Sequence, residues 1–160
     1  MERIAICTGS FDPPTYGHIN IIERGLKLFD RIIIAVATNT TKKTTFTPEE
    51  RVTLLKEIFK ETDRVIVESF HGLLAEYVKQ KRVTTLLRGI RNMSDYEYES
   101  QMALANKTLS PEIETIFMMT EGKYAHLSSS IIKEIIAFGG SGGEMIHPVV
   151  EKRLREKLCR

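Results

Sequence analysis

Short apolar runs alternate with amphipathic stretches along nearly the whole chain, and that alternation leaves few folds open. Residues 4–8, 31–37, 65–67, 84–87 and 115–119 read as strands. The run Ile32-Ile33-Ile34-Ala35-Val36 is continuous and mostly β-branched, as in a strand buried on both faces. Strands that alternate with helices imply a parallel sheet covered on both sides, so the expected class is α/β and doubly wound.

The helices carry their own signals. Ile19, Ile22, Leu26 and Phe29 are spaced to share one helical face. Thr47 as cap, Pro48 at the first helical position and Glu50 closing a capping box open the next helix, whose stripe is Val52, Leu55 and Phe59. A short helix over 72–80 turns Leu74, Tyr77 and Val78 inward. Ser94 and Glu97 form a capping box for a long helix with Tyr98, Met102, Ala105 and Leu109 on one side. The helix that starts at Ser128-Ser129-Ser130 carries Ile131, Ile132, Ile135 and Ile136 and stops at Gly139-Gly140. The glycine-rich stretch 139–143 reads as a mobile connection, after which Pro148 opens a closing helix with Val150, Leu154 and Leu158 inward.

At 160 residues the chain has the size of one domain, 1–160, without repeat or linker. Cys7 and Cys159 form no disulfide or metal spacing, which fits a reducing cytoplasm. A signal peptide and a bilayer span are not expected. Lys plus Arg total 23 against 21 Asp plus Glu, a formal charge of +2, and the cations are scattered. Nucleic acid is not an expected partner.

One stretch stands out chemically: Gly9-Ser10-Phe11-Asp12-Pro13-Pro14-Thr15-Tyr16-Gly17-His18, between the first strand and the first helix. Gly9 lets a backbone approach a ligand, and a helix amino end offers unpaired N–H groups to a phosphate. His18 in the first turn can add a ring N–H or a positive charge. There is neither a GxxxxGK[ST] loop nor a GxGxxG fingerprint, so kinase and dehydrogenase readings fall away. The remaining anion-binding groups are His18, Lys42, Arg88, Arg91 and the amides of 128–130, enough for phosphoryl chemistry that rests on positioning and charge stabilisation. Several site candidates have a plainer use. Lys42 alone would be a solvated charge, Arg91 can cap a carbonyl or pair with Asp95 or Glu97, Glu99 can be an exposed helix charge, and the serines can simply cap a helix.

The glycine-to-histidine stretch, Arg88-Gly89-Ile90-Arg91, Asp95-Tyr96-Glu97-Tyr98-Glu99 and Leu127-Ser128-Ser129-Ser130 with Lys133 resemble the motifs of the nucleotidyltransferase superfamily with the T/HxGH signature. Within it, the match is to the phosphopantetheine adenylyltransferase family and covers nearly the whole chain. The resemblance implies a Rossmann-like five-stranded parallel sheet in order 3-2-1-4-5, with the site where strands one and four diverge. It implies AMP transfer from ATP to 4′-phosphopantetheine, with Mg2+ carried by the ATP phosphates, coenzyme A as a feedback ligand, and a hexamer. Ser10, Lys42, Leu74 and Arg88 would face phosphopantetheine. Ser10, Phe11, His18, Gly89, Ile90, Arg91, Glu99, Tyr124, Ala125, His126, Leu127, Ser128, Ser129 and Ser130 would surround ATP, with His18, Lys42 and Arg91 catalytic and no metal-ligating residues. Ser10 stands where the family often has threonine, and Tyr124 where it often has tryptophan. The competing readings are a nucleotidyltransferase with another acceptor, such as nicotinate mononucleotide or glycerol 3-phosphate, and a catalytically silent nucleotide sensor.

Overall fold

The computed structural model describes residues 2–38 and 43–159. Its five strands are β1 (Ile4–Gly9), β2 (Arg31–Thr38), β3 (Val65–His71), β4 (Thr85–Ile90) and β5 (Glu114–Met119). They form one parallel sheet in the order β3-β2-β1-β4-β5, the order the family resemblance implies. Because side chains alternate along a strand, β1 sends Ala5 and Cys7 to one face and Ile6 to the other. Helices α1 (Tyr16–Gly25) and α2 (Pro48–Ile58) cover the first face through Ile19, Ile22 and Leu55. Helix α3 (Leu74–Lys81) covers the second through Ala75, Tyr77 and Val78.

Helices α5 (Ser129–Ala137) and α6 (Pro148–Leu158) do not lie on the sheet. Ile132, Ile136, Val150 and Leu154 close a third apolar cluster against Phe46 and Leu54 of the α2 region. All four are fully buried, and each such side chain contributes about 1.5–3 kcal/mol. The glycine-rich run before α6 is a hydrogen-bonded turn. The Gly140 amide donates to Ile135 O at 2.8 Å, and Arg155 Nη2 donates to Gly140 O at 2.6 Å.

Local rules account for most helix ends. The Thr47–Glu50 capping box forms as expected, with Glu50 N donating to Thr47 Oγ1 and Thr47 N to Glu50 Oε2. Helix α1 stops at Gly25, where a Cβ would come within 2.6 Å of Leu87 and 2.7 Å of Ile32. Leu26 and Phe29 therefore reach the core from the following turn.

The structure differs from the sequence reading at three points. The long helix α4 (Met93–Leu109) is capped by Asn92, whose side chain accepts from Asp95 N at 2.9 Å, not by Ser94. Its apolar stripe is also unburied: Tyr98, Met102 and Leu109 are exposed, and Asn106 is the one buried residue of the helix. Strand β4 continues past Leu87 through Arg88 and Gly89, which pair with Phe117 and Met118 of β5. Gly89 is required there, since a Cβ would come within 2.9 Å of Ile21.

Candidate active site

The carboxyl ends of β1 and β4 part around a cavity of about 360 Å3. It lies at the switch point of the sheet, where α/β folds bind ligands. The amino ends of α1 and α5 both open onto it, bringing two positive dipole ends and unpaired amides to one space.

His18 is built into the start of α1. Thr15 caps the helix, and the His18 amide donates to Thr15 Oγ1 at 3.4 Å while Thr15 N donates to His18 Nδ1 at 3.0 Å. This is a capping box closed by histidine instead of glutamate. Since Nδ1 accepts a backbone N–H, the ring proton of the neutral imidazole sits on Nε2. The Phe11 ring meets the imidazole edge-on at 5.1 Å. Burial, reinforced by the charges of Arg91 and Arg88, pushes the His18 pKa down to about 4. At neutral pH the group is thus a neutral N–H donor, not a cation.

The two arginines are each held by a carboxylate. Arg88 grips Glu99 with Nε and Nη2 at 2.8 and 2.6 Å, and its Nη1 donates to Thr8 O. Arg91 donates from Nε to Asp95 at 3.0 Å and from Nη1 to Leu127 O. Both plainer uses foreseen for Arg91, carbonyl cap and Asp95 partner, are therefore present. A phosphate entering this cavity meets guanidinium groups already fixed in orientation, with carboxylates in the place of phosphate oxygens.

The serine triplet is divided among different tasks. Ser128 caps α5 by accepting from Ile131 N at 3.2 Å, and Ser129 Oγ donates to Pro13 O at 2.8 Å. One turn on, Lys133 Nζ reaches Asp12 Oδ2 at 3.2 Å. The amides of Ser129 and Ser130 occupy the open helix end. Asp12, 5% exposed, also accepts from Thr45 N and Phe46 N at 2.9 Å each. Arg51, 2% exposed, donates to Ser10 O at 2.6 Å and Ala37 O at 3.2 Å. Asp12 and Arg51 thereby join the β1 turn to the start of α2, and Asp12 joins it to α5. Cys7 lines the cavity floor, where burial pushes its thiol up to about 11 and keeps it protonated.

A second cavity of about 300 Å3 adjoins the first. Thr8, Gly9, Ser10, Arg88 and Glu99 border both, so the Arg88–Glu99 pair stands at the partition. Leu74, Ala37, Tyr98, Met102 and Asn106 line the rest, and Asn106 is 7% exposed.

Most residues singled out from sequence meet here. Ser10, Phe11, His18, Arg88, Gly89, Arg91, Glu99 and 127–130 line the first cavity, and Leu74 lines the second. Ile90 is buried beside it, and its carbonyl accepts from Thr120 N at 2.9 Å. Tyr124, Ala125 and His126 lie in the segment between Thr120 and Leu127 but do not line the wall; Tyr124 stacks on Tyr16 instead. Lys42 lies outside the described residues. Sequence reasoning assigned no role to Asp12, Arg51 or Asn106. Asp12 had a usable signal, its place inside the glycine-to-histidine motif, whereas Arg51 and Asn106 look like ordinary polar helix residues.

A parallel sheet with paired helix amino ends and a histidine donor at its switch point defines a nucleotidyltransferase-type site. The comparisons agree. Residues 6–135 match the cytidylyltransferase-like family. Phosphopantetheine adenylyltransferase of Caldanaerobacter subterraneus subsp. tengcongensis is 52% identical over 156 residues, 98% of each chain. That of Geotalea daltonii is 47% identical over 158 residues, 99% of this chain and 98% of its own. A bifunctional NMN adenylyltransferase/ADP ribose pyrophosphatase from Francisella tularensis superposes on all of this chain and 51% of its own, with a TM-score of 0.76 at 15% identity. A protein assigned as a nicotinate-nucleotide adenylyltransferase from Vibrio parahaemolyticus gives a TM-score of 0.67 at 17% identity, over 98% and 93% of the chains. These two share the fold. The chain belongs to the cytidylyltransferase-like family and, within it, to the phosphopantetheine adenylyltransferases.

Proposed function

We propose that this chain transfers AMP from ATP to 4′-phosphopantetheine, forming dephospho-coenzyme A and pyrophosphate in coenzyme A biosynthesis. The observation that carries this reading is the near-full-length kinship with phosphopantetheine adenylyltransferases. The paired cavities support it, because two substrates must meet across a shared border. In this reading ATP occupies the first cavity and the pantetheine arm the second, against Leu74 and Asn106, with Ser10 and Arg88 at the junction. Lys42 is proposed to contact the phosphates, as the family resemblance implies.

An ionised oxygen of the acceptor phosphate attacks the α-phosphorus, and the bond from that phosphorus to the pyrophosphate oxygen breaks. The acceptor is already anionic near neutral pH, so no general base is needed. His18 donates its Nε2–H to an α-phosphate oxygen as charge grows there, while Arg91 and the amino ends of α1 and α5 hold the phosphates in line.

Among the described residues, no group of three or more His, Cys, Asp or Glu is placed to hold a metal ion. The cavity carboxylates Asp95 and Glu99 are engaged by arginines, so magnesium would enter with the triphosphate, held by its oxygens. It would supply charge neutralisation there. The exposed apolar residues of α4 and β5, among them Tyr98, Leu104, Leu109 and Met119, would be covered by assembly into a hexamer, measurable by light scattering. Coenzyme A, which contains the product, would act as a feedback ligand. Among the described residues no helix is long and apolar enough to cross a membrane, and a cytoplasmic place fits that and the two free cysteines.

The test is incubation with ATP, magnesium and a panel of phosphorylated acceptors while pyrophosphate is followed. Turnover is expected with phosphopantetheine alone. Equal turnover with nicotinate mononucleotide would overturn the assignment.

A further inference from the structure

Helix α1 presents a second functional face beside the one it buries. Tyr16, Asn20 and Arg24 follow at intervals of four and so share one side of the helix. All three engage the end of β5 or the chain that leaves it. Asn20, 8% exposed, donates from Nδ2 to Glu121 Oε1 at 2.9 Å, and its Oδ1 accepts from Arg24 Nη1 at 3.3 Å. That same Nη1 donates to Met119 O at 2.7 Å. The Tyr16 ring stacks on Tyr124, with centroids 6.5 Å apart and planes 29° apart.

The segment so held, 120–127, contributes little to the apolar core. Leu127 is its one buried residue. A segment with few buried apolar contacts takes its position from polar ties and opens easily when they are cut. Thr120 and Leu127 line the first cavity and not the second. At the far end, Arg91 holds Leu127 O, so the segment is fastened at both ends.

We infer that the Tyr16–Asn20–Arg24 face of α1, acting through Glu121 and Tyr124, is a positioning element for the nucleotide: it holds segment 120–127, whose ends Thr120 and Leu127 line the first cavity, without touching the reacting atoms. The inference rests on the assignment of ATP to that cavity. Glu121 is the point to perturb, since its side chain is 44% exposed and its loss does not open the core. Glu121→Ala strips the buried Asn20 amide of its acceptor, whereas Glu121→Gln keeps an oxygen at the same place.

The experiment measures ATP and phosphopantetheine affinity by calorimetry and steady-state kinetics for wild type and both variants. Hydrogen exchange is followed over 122–127. Glu121→Ala is expected to weaken ATP roughly five- to tenfold, the scale set by leaving a buried donor unpaired. Phosphopantetheine affinity should hold within about twofold, exchange over 122–127 should quicken, and Glu121→Gln should restore ATP binding. Unchanged ATP affinity in Glu121→Ala, or equal weakening of both ligands, would overturn the inference while wild-type ATP binding leaves the site assignment standing. A wild type that binds no ATP would overturn both.

Discussion

Lowering the pH perturbs His18 in a way the structure sets in advance. An unperturbed imidazole has a pKa near 6.5 and would be about nine-tenths protonated at pH 5.5. Burial and the charges of Arg91 and Arg88 push His18 down to about 4, so only about 3% of it would be charged at that pH. The Thr15 amide adds to the effect, because its N–H at 3.0 Å from Nδ1 occupies the lone pair that a proton would need. The consequence for stability follows in sign. The folded pKa lies below the unfolded one, so the unfolded chain binds the extra proton between about pH 6.5 and 4. The contribution is full above pH 6.5 and is lost as pH falls toward 4, amounting to at most about 3 kcal/mol and less in so far as the ring opens on the cavity. Proton NMR of the ring resonances tests this directly. The chain has four histidines, and His18→Ala identifies the relevant signal. The His18 signal should titrate below pH 5 in the free protein and at higher pH once ATP brings its negative charge. A free-protein midpoint near 6.5 would refute the capping-box geometry and the neutral donor that depends on it.

His18→Ala is expected to lower kcat about 10²- to 10³-fold with a much smaller rise in KM for ATP, as for loss of one donor to growing charge. A mutant that keeps kcat would make His18 a binding residue only. Asp12→Asn removes the charge opposite Lys133 and places an NH2 against the Thr45 or Phe46 amide; it should lower Tm by several degrees, equivalent to about 1–3 kcal/mol. Because the two side chains are in contact, the double variant with Lys133→Met should lose less than the sum of the singles, and strict additivity would count against the clamp. Asn106→Ala should raise KM for phosphopantetheine and leave KM for ATP unchanged, since Asn106 lines the second cavity alone. A shift in both would show that the cavities are assigned wrongly.

What was readable from sequence was what local interactions decide. The Thr47-Pro48-Glu50 start of α2 and the Val150–Leu154 stripe of α6 depend on neighbours within one or two turns, and both form as read. The β1–turn–α1 unit was legible for the same reason. The sheet order came through family resemblance, because no local signal fixes which strands pair. Arg88 looked like a residue past the end of a strand, since an arginine and a glycine rarely extend a buried one. It is tolerated inside β4 because Glu99 and the Thr8 carbonyl satisfy it from elsewhere. The clamps were invisible on similar grounds: Asp12 and Phe46 are 34 residues apart and Asn20 and Glu121 are 101 apart. On α4 the apolar spacing was real, but spacing alone does not say whether a stripe meets the chain's own core or an external surface.

In the proposed reaction AMP passes directly from ATP to the acceptor phosphate, with the protein supplying position and charge and no covalent adenylylated intermediate on the way. Cys7 is kept protonated by burial, Ser129 donates to Pro13 O, and His18 presents Nε2 as a donor, so none is set up to attack phosphorus. A single displacement inverts the configuration at phosphorus, whereas two restore it. The decisive measurement is the stereochemical course with ATP made chiral at the α-phosphorus by sulfur substitution, read in the dephospho-coenzyme A product. Inversion is expected; net retention, or isolation of an AMP-labelled protein that passes its label to phosphopantetheine, would rule out direct transfer.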